Sequence, residues 1–106
     1  MTSDWETATP GETAAGALGG SITVRYWAGA RAAAGVGTDM IETSSPLSLV
    51  DVRARAAALH PDTRLAAVLS VCAVLVGEEP VSSADPATVW IDAGAVVEFL
   101  PPFAGG

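Results

Sequence analysis

The sequence predicts an α+β domain: a mixed sheet of four to five strands with one main helix packed on one face. Three observations predict it. Residues 21–28 (SITVRYWA) alternate, with Ile22, Val24 and Tyr26 on one face and Thr23, Arg25 and Trp27 on the other, which is the period-2 signature of a strand. Leu49, Val52, Ala56 and Leu59 then recur at i, i+3, i+7 and i+10, one stripe of a helix. Two further extended stretches, 70–76 (SVCAVLV) and 96–100 (VVEFL), come after that helix. A helix set between two pairs of strands covers one sheet face and leaves the other more open.

In chain order, residues 29–37 (GARAAAGVG) are short and Ala-rich between glycines, consistent with one or two helical turns in a connection. Thr38–Thr43 (TDMIET) reads as a second, edge strand making a hairpin with the first. Ser48 or Ser45 can cap the main helix, with Asp51 in its first turn, while Arg53 and Arg55 fall off the apolar stripe and face solvent. That helix ends at His60, because Pro61 disfavours helical geometry in the residue before it. Residues 62–69 (DTRLAAVL) suit another short helical segment. The nearly continuous apolar run at 70–76 reads as a buried strand. A turn at 77–80 comes next, then a brief extended piece from Val81, a loop at 82–86, a short extended segment at 88–91 (TVWI) and a turn at 92–95. The order is β-β-α-β-β, with room for a fifth very short strand. With the first and last strands side by side and parallel, the chain after residue 100 leaves from the sheet's centre; that arrangement is a β-grasp.

A chain of 106 residues is one small domain. Residues 1–20 are rich in Thr, Ala, Gly and Glu without an apolar period, and read as a flexible acidic lead-in with Gly19-Gly20 as a hinge. They lack the basic start and continuous apolar stretch of a secretory signal. No run approaches the length needed to span a bilayer. The expected location is the cytoplasm. Net charge is −7, with five arginines and no lysine. Such a surface repels phosphate backbones and anionic lipids, so neither nucleic acid nor membrane is an expected partner; a basic docking surface on another protein is. With one cysteine (Cys72) and one histidine (His60), neither an internal disulfide nor an ordinary zinc site can be assembled.

The most informative stretch is 101–106, Pro101-Pro102-Phe103-Ala104-Gly105-Gly106. Glycine lacks a Cβ, so Gly105 and Gly106 can thread a slot too narrow for other residues. The prolines fix φ and donate no backbone hydrogen bond, so they end a strand and project the chain beyond them stiffly. Six extended residues reach roughly 20 Å, far enough to place a terminal carboxylate in another protein's active site. The division expected is therefore 1–20 lead-in, 21–100 domain, 101–106 extended tail.

The closing VVEFLPPFAGG, preceded by a short strand and an Asp-Ala-Gly turn, resembles the small subunit of molybdopterin synthase, in the MoaD/ThiS group of ubiquitin-like β-grasp sulfur carriers. VRYWAGARAAAGVG and LAAVLSVCAVLVGEEPV are similar to that family too, so the likeness covers residues 21–106. One departure is Asp92-Ala93-Gly94-Ala95, where such carriers usually have Asp-Gly-Asp; it touches turn geometry and surface charge. The resemblance implies that the protein is no enzyme by itself and binds no cofactor. It implies that an adenylating E1-like enzyme consumes ATP to convert the Gly106 carboxylate to an acyl adenylate. A persulfide, supplied by a donor such as a cysteine desulfurase or rhodanese, displaces AMP and leaves a thiocarboxylate. Its sulfur is ionised and nucleophilic at neutral pH, the condition that also governs thiol reactivity. The customer implied is the large molybdopterin synthase subunit, in a heterotetramer, which uses the sulfur to build the dithiolene of the molybdenum cofactor. Gly106 then bears sulfur, Gly105 forms the slim neck, and Ala104, Phe103, Pro102, Pro101 and Phe99 make up the partner-binding stem. Phe99 and Leu100 are adjacent in a strand, so one of the two must face the core.

Other constellations carry less. Cys72 in an apolar run behaves as a small hydrophobe, His60 at a helix C-terminus suits a cap interacting with the dipole, and Glu78-Glu79 suits a solvated turn. Alternative customers are thiazole, cysteine or tRNA thiolation. A ubiquitin-like modifier joined to lysines through Gly106 would use the same adenylate, and a non-catalytic β-grasp binding module would not use the glycines at all.

Overall fold

The computed structural model describes residues 20–81 and 85–102. Residues 1–19 of the expected lead-in and the segment from Phe103 to Gly106 lie outside those residues, whereas Gly20, read from the sequence as part of a hinge, opens the first strand. The described chain runs β1 (Gly20–Tyr26), α1 (Ala28–Ala34), β2 (Thr38–Thr43), β3 (Leu47–Ser48), α2 (Leu49–Ala58), α3 (Leu65–Leu69), β4 (Ala73–Val76), β5 (Glu79–Pro80), a 3-10 turn (Pro86–Thr88), β6 (Trp90–Ile91) and β7 (Val96–Leu100). Five strands form one mixed sheet in the order β2-β1-β7-β4-β5, and β3 and β6 pair as a separate two-stranded sheet. The α+β β-grasp architecture expected from the sequence is the one observed.

The first and last strands are central and parallel, with Thr23 opposite Val96 and Tyr26 opposite Phe99. β2 pairs antiparallel with β1 at one edge, and β4 pairs antiparallel with β7 on the other side. The inner face carries Ile22, Val24, Tyr26, Ile41, Val74, Val97 and Phe99, all buried. Against it pack Ala30 and Ala34 of α1, Leu49, Val52 and Ala56 of α2, and Leu65 and Leu69 of α3. Ser48 is the cap of α2: its hydroxyl accepts the Asp51 N–H at 3.1 Å. The turn into β7 is held by Gly94, whose N–H donates to Ser21 O at 2.7 Å while its φ of 95° lies in the left-handed region that glycine occupies without strain. Placing glycine at that position is what lets Asp92-Ala93-Gly94-Ala95 make a working turn despite its unusual spelling.

Three expectations are corrected. Leu59 is not part of the buried stripe; it is 50% exposed. Ten residues at about 100° each bring it roughly 80° around from Leu49, and α3 fills the core beside α2 with Leu65 and Leu69 instead. The run 70–76 is not one strand. Ser70, Val71 and Cys72 close the end of α3 through N–H bonds to Ala66, Val68 and Leu69, leaving Val71 63% exposed and the strand confined to β4. A short apolar run does not by its periodicity separate helix end from strand. The 88–91 segment contributes β6 to the small second sheet, and the fifth strand of the main sheet is β5.

Candidate functional site at the root of the tail

β7 delivers the chain to the tail from the middle of the sheet, flanked by β1 and β4. Its last turn of pairing is fixed from both sides. The Trp27 N–H donates to Phe99 O at 3.2 Å, and the Tyr26 and Phe99 rings stack with centroids 6.5 Å apart. Phe99, expected in the partner-binding set, belongs to the core: it is fully buried in the isolated chain. Its burial contributes about 1.5–3 kcal/mol to folding and leaves no surface to offer a partner. Strand alternation puts its neighbour Leu100, half-buried, on the outer face. Pro101 is half-buried and Pro102 exposed. Gly106, Gly105, Ala104 and Phe103 lie outside the described residues.

Two surfaces meet where the tail begins. On the outer sheet face, Trp27 Nε1 donates to Glu98 Oε1 at 2.9 Å. The Arg25 guanidinium sits 5.2 Å over the Trp27 ring, and its Nη1 lies 3.9 Å from the same carboxylate oxygen. Trp27 remains 42% exposed. Sequence reasoning placed Arg25 and Trp27 on this face and overlooked Glu98. The signal was present: alternation along VVEFL puts Glu98 opposite to Phe99, and the parallel register sets it beside Arg25. On the helix side, Ala28, Gly29, Ala32 and Ala33 of α1, Arg64, Val68 and Val71 around α3, and Pro101 and Pro102 line an apolar hollow of roughly 720 Å³.

The strand-to-helix reversal at this root carries local strain. Ala28 has φ 47°, in the left-handed region that a residue with a Cβ seldom occupies. The reversal lets Trp27 O accept from both Ala30 (2.9 Å) and Arg31 (3.3 Å), starting α1 directly beside the end of β7.

His60 and Cys72 are not brought together as a nucleophile and base. His60, expected as a helix-end cap, pairs through Nε2 with Asp39 Oδ2 at 2.6 Å, and Cys72 Sγ donates to Val68 O at 3.3 Å. Burial pushes the Cys72 thiol up to about 11, with the charge of Arg53 opposing in part, which is the reverse of an activated cysteine. Among the described residues no cluster of His, Cys, Asp and Glu could hold a metal ion, and no helix is long and apolar enough to cross a membrane. Glu78 and Glu79 are exposed, Glu78 in the β4–β5 turn and Glu79 at the start of β5.

No curated protein sequence matches the chain significantly. Among solved structures, it is similar to the small archaeal modifier protein SAMP1 of Haloferax volcanii (20% identity, 82% of this chain and 100% of that one, TM-score 0.67). It is similar to a putative molybdopterin converting factor subunit 1 of Pyrococcus furiosus (21% identity, 79% and 99% covered, TM-score 0.60). It is also similar to a chain in the complex of subunits 1 and 2 of the molybdopterin-converting factor of Helicobacter pylori (22% identity, 81% and 99% covered, TM-score 0.54). At these identities the likenesses speak for the fold. The model of the ThiS family matches residues 24–106, from the middle of β1 through the tail glycines, and the chain belongs to the ThiS family.

Proposed function

We propose that this protein is the sulfur-carrying small subunit of a molybdopterin synthase, and that the Gly106 carboxylate is the atom group it lends to chemistry. The observation that supports this most is the placement of the tail: β7, paired on both sides in the centre of the sheet, hands the chain to Pro101 and Pro102 and then to Phe-Ala-Gly-Gly. A five-stranded body thus serves as a grip for the chain that follows Pro102. A carboxylate is a poor electrophile, because its charge is delocalised and oxide is a bad leaving group. Attack of one carboxylate oxygen on the α-phosphorus of ATP releases pyrophosphate and gives an acyl adenylate. A persulfide sulfur then attacks the acyl carbon and expels AMP, and a second thiol reduces the resulting S–S bond to leave –C(O)S⁻ at Gly106. The activating enzyme, the sulfur donor and the large synthase subunit supply every catalytic group in this sequence; the carrier supplies recognition and reach.

The Helicobacter pylori relative is described as a complex of two subunits, which favours a large-subunit partner here as well. The test is reconstitution. Thiocarboxylated chain mixed with the large synthase subunit and the cyclic pterin phosphate precursor should yield the dithiolene product. Sulfur delivered only to a thiazole or cysteine synthase would contradict the molybdopterin assignment and keep the carrier chemistry.

The modifier relative from Haloferax volcanii favours one second reading, covalent attachment to other proteins through the same adenylate. A ladder of adducts on an immunoblot of cells would support it, and a single unconjugated band would count against it.

A further inference from the structure

The hollow between α1 and α3 is not explained by folding. Val71 projects into solvent at its edge, 63% exposed, and Val68 beside it is only half-buried. The single charged group on its wall is Arg64, exposed and, among the described residues, without an ion pair. Arg31 lines the adjoining hollow with Ala28 and Ala32. In a chain of net charge −7, this is a local patch of apolar surface edged by guanidinium groups. Two of the walls, Pro101 and Pro102, are the stem of the tail itself. Pro102 is joined directly to Phe103, so a protein that engages the chain beyond Pro102 is brought next to this hollow.

We infer that the hollow is a docking site for the adenylating enzyme, and that its occupant is a surface segment presenting one bulky apolar side chain flanked by a carboxylate. This rests on the carrier reading of the tail. The apolar side chain fills the space between Ala32, Val68, Val71 and Pro101, and the carboxylate meets Arg64 in a charge-assisted pair. Adenylation is the step that the sulfur-carrier and modifier readings share, so a site at the stem serves it whichever customer the sulfur or the acyl group goes to. Apolar anchors with an arginine beside them carry a large share of binding energy at protein interfaces. The small residues of α1 (Ala28, Gly29, Ala32, Ala33) leave the space into which such an anchor fits.

The experiment is ATP–pyrophosphate exchange by a purified E1-like activating enzyme from the same organism, at varied concentrations of full-length chain. Wild type is compared with Val71→Asp, Arg64→Glu and Arg64→Lys, with Trp90→Ser on the small second sheet as a control. All three positions are exposed and outside the core, and thermal melts check that the variants fold. The inference expects KM for the chain to rise about tenfold in Val71→Asp and Arg64→Glu with kcat little changed, a factor of ten being one 1.4 kcal/mol step. Arg64→Lys should recover most of the loss, Trp90→Ser should match wild type, and added salt should narrow the Arg64→Glu difference more than the Val71→Asp difference. Unchanged KM in folded Val71→Asp and Arg64→Glu overturns the docking site and leaves the carrier reading standing. No exchange with wild-type chain overturns the carrier reading and the docking site together.

Discussion

His60 Nε2 lies 2.6 Å from Asp39 Oδ2, tying the end of α2 to the edge strand β2. The same oxygen accepts the Tyr26 hydroxyl at 2.8 Å, and the Tyr26 and His60 rings meet edge to face at 6.3 Å. Both side chains of the pair are largely enclosed, 16% and 18% exposed, so the contact is shielded from solvent far better than an ordinary surface pair. Asp39→Ala removes the partner of two groups at once and is expected to cost about 2–3 kcal/mol, more than His60→Ala at about 1–2 kcal/mol. Urea unfolding of the two single variants and the double variant checks this; a coupling energy of zero would mean that the pair does not hold β2 to α2.

Tyr26 gives a pH signature. Burial, then its hydrogen bond to Asp39 and that carboxylate's charge, hold its phenol protonated well above the ordinary value near 10. Above that pH the unfolded chain loses the proton and the folded chain keeps it, so stability falls as pH rises. Tyr26 is the one tyrosine of the chain, so its absorbance reports the event directly. Folded protein is expected to show no tyrosinate at pH 11, and tyrosinate is expected to appear together with unfolding. Tyr26→Phe should flatten the alkaline loss of stability.

Cys72 should be a slow thiol. With its pKa pushed up to about 11 by burial, little thiolate exists at pH 8, and alkylation by iodoacetamide is expected to run well below the rate of the urea-unfolded chain. The same shift adds to the stability lost between about pH 9 and 11. Equal alkylation rates in the folded and unfolded chain would contradict the half-buried placement.

Ala28→Gly should stabilise the protein. Relief of left-handed strain at φ 47° is worth about 1–2 kcal/mol, offset in part by the greater freedom of glycine in the unfolded chain. A net gain of about 0.5–1 kcal/mol in chemical denaturation is expected, and a loss would show that the reversal after Trp27 is unstrained.

The range of each interaction decides whether the residues alone reveal it. Ser48 and Asp51 are three residues apart, and the helix cap they make is local, so it was legible. The parallel pairing of residues 21–28 with 96–100 is one arrangement that the strand order allows, and the family resemblance singles it out. Phe99 follows from alternation once Glu98 is counted: Val97 and Phe99 share one face of VVEFL, and Val96, Glu98 and Leu100 share the other. The charge of Glu98 marks that second face as the open one and leaves Phe99 to meet the helices. Val71 looked like strand because an apolar run ending a short helix has no period of its own. The Asp39–His60 pair spans 21 residues, and no local pattern announces it; alternation gives the face of Trp27 and of Glu98, but their bond across 71 residues needs the register of the two strands as well. The hollow beside Pro101 needed α1 and α3 in place before it existed at all. The tail draws attention because its message is compositional: two glycines behind two prolines need no partner within the fold to be noticed.

The central claim concerns one atom exchange, and tandem mass spectrometry of the C-terminal peptide tests it most directly. After incubation with activating enzyme, ATP and a persulfide donor, the peptide should gain the mass of one sulfur in place of one oxygen, assigned to Gly106. A chain lacking Gly106, with an unchanged melting temperature, should gain none. Sulfur found on Cys72 alone, or no sulfur on the wild-type chain with any donor, would contradict the account.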